Sequence, residues 1–118
     1  MAVVITPARP SPQALLKAFD AAIAKGHSTG GITTWKKLGN GSYTHTSANW
    51  GGKAMMKPDT TDESRLVFNI RKVPLININQ SVYSYYHGHM IETFLNHFAS
   101  SFDFGVATAS PDPADDWK

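Results

Sequence analysis

The sequence predicts an α+β domain: an antiparallel sheet of four to five strands with two α-helices packed on one face. Two observations lead there. Apolar residues recur at helical spacing in two segments, 15–23 and 91–102. Between these segments, short runs rich in β-branched and aromatic residues are joined by brief turn-forming stretches, which favour antiparallel over parallel pairing.

Taken in order, residues 1–10 read as an N-terminal arm with a short edge strand at Val3–Ile5. Ser11 and Pro12 then mark a helix start: a hydroxyl caps the end and proline takes the first position, where a missing N–H costs nothing. Leu15, Leu16, Phe19, Ala22 and Ile23 form one stripe, and Gly26 suits the residue after the last turn. "ITTWKKL" and "SYTHTSANW" read as a hairpin about the turn "GNG" at 39–41. Its register puts His45 opposite either Lys36 or Trp35. "KAMMK" suggests a further strand, and "PDTTDES" is a solvated loop without the glycine and terminal glutamate of a calcium loop. "RLVFNIRKV" alternates Leu66, Phe68 and Ile70 against Val67, Asn69 and Arg71 until Pro74 interrupts. "LININ" is a short strand or an extended approach to the second helix, which runs from about 84 to 102, and "GVATA" is a candidate final strand.

The expected organisation is an arm (1–10), a single α+β domain (11–109) and a flexible acidic tail (110–118). The expected core is Leu15, Leu16, Phe19, Ile23, Ile32, Leu66, Phe68, Ile70, Ile91, Phe94, Leu95 and Phe98. A chain of 118 residues with 42% hydrophobic and 17% charged content suffices for one continuous core.

Composition also narrows function. With no cysteine there are no disulfides, thiolate nucleophiles or Cys-ligated zinc, which suits a cytoplasmic location. "MAVVITPARPSPQ" has neither the basic start nor the apolar length of a signal or membrane span. There is no phosphate-binding loop, nucleophile elbow, zinc-finger spacing or dinucleotide fingerprint, and no cofactor is expected. The net charge of +2 is unevenly spread. Lys25, Lys36, Lys37, Lys53 and Lys57 fall in a stretch without acids, whereas Asp103, Asp112, Asp115 and Asp116 crowd the end.

Candidate site residues fall in two regions. In "YSYYHGHMIETFLNHF", stepping about 100° per residue places Ile91, Phe94, Leu95, Phe98 and Phe102 on one stripe, with His87 on or beside it. Tyr83, Met90 and His97 form a separate row, and Tyr85, His89, Glu92 and Asn96 a polar flank. His89 and Glu92 at i,i+3 can serve as a general base with its orienting carboxylate, or as two metal ligands. His87 and His89 chelate poorly from a helix and well from an extended strand; Gly88 leaves open a helix that begins only near His89. The second region is the hairpin 32–57, where Trp35, Tyr43 and Trp50 interleave with Lys36, Lys37 and His45. Rings beside lysines suit a protein or peptide partner, and they are also the ingredients of a single-stranded nucleic-acid platform. The expected function is therefore a non-enzymatic interaction module presenting an aromatic and basic sheet surface. A small enzyme or metal protein using Tyr85, His89 and Glu92 is the first alternative, and a nucleic-acid binder the second. The opposite charges of tail and hairpin add the expectation that residues 110–118 fold back to mask the hairpin, with Trp117 as anchor.

Overall fold

The computed structural model describes residues 2–109; the tail and its expected masking contact lie outside them. The elements are β1 (Ala2–Thr6), α1 (Pro12–Lys25), β2 (Trp35–Lys37), β3 (Tyr43–His45), β4 (Met55–Asp59), β5 (Leu66–Arg71), α2 (Gln80–Phe98), a single 3-10 turn (Ala99–Ser101) and β6 (Phe104–Ala107). The strands form one antiparallel sheet in the order β2-β3-β4-β5-β1-β6.

The sheet has six strands, not four to five, and the expected edge strand at Val3–Ile5 is an interior one. β1 pairs with β5 through Val3↔Phe68 and Ile5↔Leu66, and with β6 through Val4↔Val106. Bonding on both sides buries Val3 and Ile5 completely, a gain that five apolar residues beside prolines do not announce in sequence. β4 runs on through Pro58 and Asp59, residues read as loop. Proline is tolerated because β3 pairs with β4 only at Tyr43↔Met56, so Pro58 lies where β4 has no second neighbour.

Both helices cover the same face. Phe19 of α1 and Phe94 of α2 meet over Phe68, with ring centroids 5.1 Å apart and 6.0 and 5.6 Å from Phe68, in the tilted and edge-on arrangements aromatic pairs prefer. α1 has the predicted limits; Ser11 Oγ accepts from the Ala14 N–H at 3.1 Å and Gly26 follows at positive φ. α2 begins earlier than expected, at Gln80, where Asn79 Oδ1 accepts from the Val82 N–H at 2.9 Å.

The buried stripe of α2 is also rotated from the expected one. Val82, Tyr83, Tyr86, His87, Met90, Thr93 and Phe94 face the interior, Ile91 and Phe98 are half-buried, and Leu95 is 52% exposed. The expected stripe counted only aliphatic and phenyl side chains. In the fold, Tyr83, Tyr86, His87 and Thr93 occupy the interior because each places a polar atom on a partner while burying its body.

Gly105 explains how α2 settles against β6. A β-carbon there would lie 3.3 Å from Ile91 Cγ2 and 3.4 Å from Ile5 Cδ1, so a side chain would push the helix outward. Gly105 thus faces the helices, and by alternation Phe104 and Val106 point to the opposite, uncovered face.

The rotated stripe is testable by urea unfolding. Met90→Ala should cost about 2–5 kcal/mol, and Leu95→Ala no more than about 0.5 kcal/mol. The reverse ranking would restore the stripe expected from sequence.

Candidate functional site

The two regions singled out in the sequence meet. The hairpin register is Trp35↔His45, which puts both rings on the helix-covered side of the sheet. Opposite them, Tyr85, Tyr86, His89 and Thr93 project from one flank of α2, since residues three and four apart share a helix side. His45 Nε2 lies 2.9 Å from His89 Nδ1. Trp35 stacks on His89 at 5.7 Å between centroids, and its Nε1–H donates to Thr93 Oγ1 at 2.9 Å. Thr93 in turn donates to the His89 carbonyl at 2.8 Å. Tyr85 lies parallel to Trp50, with centroids 4.2 Å apart and planes 7° off.

The hydrogen bonds define the tautomers. The Ser47 N–H donates to His45 Nδ1 at 3.1 Å, so neutral His45 carries its proton on Nε2. That N–H donates to His89 Nδ1, which leaves the proton of His89 on Nε2, facing Glu92 Oε1 at 3.9 Å. The Tyr85 hydroxyl, 3.4 Å from His45 Nε2, is a second, weaker acceptor. The cluster is therefore a directional chain from a backbone amide through two imidazoles towards an exposed carboxylate.

Both imidazoles resist protonation. Burial, and to a lesser degree repulsion from His89, lowers the pKa of His45 from 6.5 to about 4. Burial lowers that of His89 too, partly opposed by Glu92. A proton on either ring would also set two N–H groups against each other or force a ring to turn. As a metal pair the arrangement is unfavourable, because the two nitrogens face each other rather than a common point. Among the described residues no three His, Asp or Glu side chains gather in metal-binding geometry.

His87 belongs elsewhere. It is buried, its Nδ1–H donates to the Tyr83 carbonyl at 2.8 Å, and its ring packs on Tyr83 at 3.8 Å. The helix runs unbroken through Gly88, so His87 and His89 diverge.

The aromatic and basic hairpin surface is mostly turned inward. Trp35 and Tyr43 are 1% and 0% exposed, leaving no ring face for a base or a partner. Tyr43 donates to Asp20 of α1, and burial together with that carboxylate raises its pKa. Lys37 pairs with the same Asp20 at 2.9 Å; Lys36 stays exposed. Half-buried Trp50 borders a shallow depression with Tyr85, Gln80, Ser81 and Ser84.

The uncovered face presents a different set of cations. Lys57 and Arg71 line two adjoining concavities, and Lys72 joins them in one. Asn40, Ser42 and Met55 border one; Asp59, Thr60, Thr61 and Asn69 border the other. Arg71 Nε is shielded from solvent and donates to no acceptor among the described residues. Asp59 is occupied locally, accepting from the Thr61 amide and hydroxyl at 2.9 and 2.7 Å, which lowers its pKa.

Sequence reasoning missed Asp20, Ser47, Thr93 and Arg71 as site residues. The alternation of Arg71 with Leu66, Phe68 and Ile70 was the available signal for its place on the uncovered face. No protein-family model matches this chain, and neither curated proteins nor solved structures yield a significant match.

The imidazole pair makes stability depend on pH with a definite sign. Between pH 6.5 and about 4 the unfolded chain binds a proton at His45 that the folded chain refuses. This contribution is whole above 6.5 and is lost as pH falls towards 4. Urea unfolding from neutral pH downwards should show that decline, and His45→Gln, which cannot titrate, should reduce it; an unchanged slope would detach the effect from this pair.

Proposed function

We propose that this protein is a non-enzymatic interaction module that binds an acidic segment of a protein or peptide on the uncovered face of its sheet. One observation carries the reading: Lys57, Arg71 and Lys72 converge on adjoining concavities. A carboxylate entering there can accept from the guanidinium and ammonium groups that line them, and charge-assisted bonds of this kind are the strong ones. Depressions bordered by Asn40, Ser42 and Thr60 add hydrogen-bonding groups, which suits an extended carboxylate-rich strand. A cytoplasmic setting accords with a cysteine-free chain.

The other two readings draw less support. Nucleic-acid binding requires ring faces beside the cations, and the rings of Trp35 and Tyr43 are packed inside. For catalysis, the His45–His89–Glu92 chain has the direction of a proton relay, yet the two imidazoles are hydrogen-bonded to each other and packed among the rings of Trp35 and Tyr85. Three of their four nitrogens are engaged before any substrate arrives, and the fourth, His89 Nε2, carries a proton in this tautomer and cannot act as a base.

A short oligoglutamate peptide tests the proposal. It should shift the backbone amide resonances of Lys57, Arg71 and Lys72, and Arg71→Glu should weaken binding at least about tenfold. Shifts centred on Lys36, or equal binding by Arg71→Glu, would refute it. An oligothymidylate of equal charge that binds as tightly would reduce the interaction to non-specific attraction.

A further inference from the structure

We propose that a second copy of this chain adds to the β6 edge, with the two β6 strands antiparallel and Val106 opposite Val106. The sheet would then run through twelve strands about a two-fold axis.

The two edges of the sheet are unlike. β2 closes one end with Lys36 and Lys37, charges of the kind that discourage strand addition. β6 closes the other with Phe104, Gly105, Val106 and Ala107, which include no charge and no proline. Phe104 is 65% exposed and Val106 49%.

Backbone polarity and symmetry together select the register. The Thr108 N–H donates to the Ala2 carbonyl at 2.9 Å, and Val4↔Val106 and Thr6↔Phe104 continue that pairing. By alternation, Gly105 and Ala107 therefore direct their N–H and C=O groups outward. The alternation breaks at Asp103, whose N–H also turns inward to Thr6 at 3.2 Å. A two-fold axis normal to the sheet keeps each face with itself, so it must pass at a residue and not between two. Gly105 and Val106 are the two possible centres. With Gly105 there, Ala107 would face Asp103, whose N–H is turned away. With Val106 there, in a non-hydrogen-bonded pair, Gly105 of each copy exchanges both bonds with Ala107 of the other, and every outward group of the strand is used. Val106 then packs directly on Val106 of the second copy and Phe104 reaches it diagonally from either side, so that both exposed side chains are covered.

A second observation lies on the helix side. The flank of α2 that carries Ile91 leans over Gly105, opposite to the flank that carries His89. The same flank carries Leu95, 52% exposed, and the small residues Ser84 and Gly88. A β-carbon on Gly88 would meet nothing within 4 Å, so the flank is open to another helix. Pairing β6 with β6 brings the two α2 helices side by side and antiparallel, with Leu95 of each against the small residues of the other. Leu95, Phe104 and Val106, left in water by the single chain, are thus covered by one operation, whereas exposed Leu75 and Ile76 lie outside it.

Sedimentation equilibrium of the full chain should show a concentration-dependent dimer. Val106→Lys and Leu95→Arg, both at exposed positions, should each weaken it at least about tenfold, because each sets a charge in the apolar contact. Lys36→Thr at the far edge should leave it unchanged. Because the chain has no cysteine, register can be trapped: Val106→Cys should form a disulfide between the two copies, and Phe104→Cys should not. A monomer at all concentrations, a dimer indifferent to both charge variants, or equal cross-linking by the two cysteine variants would overturn the proposal.

Discussion

The hairpin of β2 and β3 is held by side chains more than by its ladder, and the arrangement of the whole helical face follows from that. Each of its strands has three residues, and β3 joins the rest of the sheet at one register pair. Its position depends on clasps from both helices: Asp20 of α1 takes Tyr43 and Lys37, while α2 takes Trp35 through Thr93 and His45 through His89. These bonds are polar groups meeting in the interior, where an unmade bond is expensive, so they fix the rotation of α2 as well as the place of the hairpin. Once Thr93 and His89 are committed to the hairpin, Met90 points at the sheet and Leu95 is carried out into water.

What the sequence made legible was local. The first helix was readable to the residue because Ser11, Pro12 and Gly26 each act on the backbone beside them. The alternation of β5 was equally plain. The phase of α2 was not, since it is set by partners more than forty positions away in the chain: His45 for His89, and Trp35 for Thr93. Likewise, nothing near Val3 reveals that β5 and β6 will flank it. The meeting of His45 with His89 required the Trp35↔His45 register, which was one of two alternatives open in sequence. Polar flanks that look solvated in a helical projection become interior when another element is clasped over them.

The division of labour between the two sheet faces follows from the same clasps. The tyrosines, tryptophans and histidines that gave the hairpin its functional look are spent on holding it to the helices. Chemistry free to act outward is left to the bare side, where Lys57, Arg71 and Lys72 gather near β4 and β5 and apolar Phe104 and Val106 lie towards β6. A rigid, doubly supported sheet is a good platform for such groups, because ordering them on binding has little further entropy to lose.

The contrast between the lysine-bearing β2 and the uncharged β6 also bounds how far assembly can go. A head-to-head union consumes the single receptive border of each copy and leaves only repelling ends, so growth terminates at a closed pair. Were both borders bare, the same contacts would propagate into an open-ended fibre.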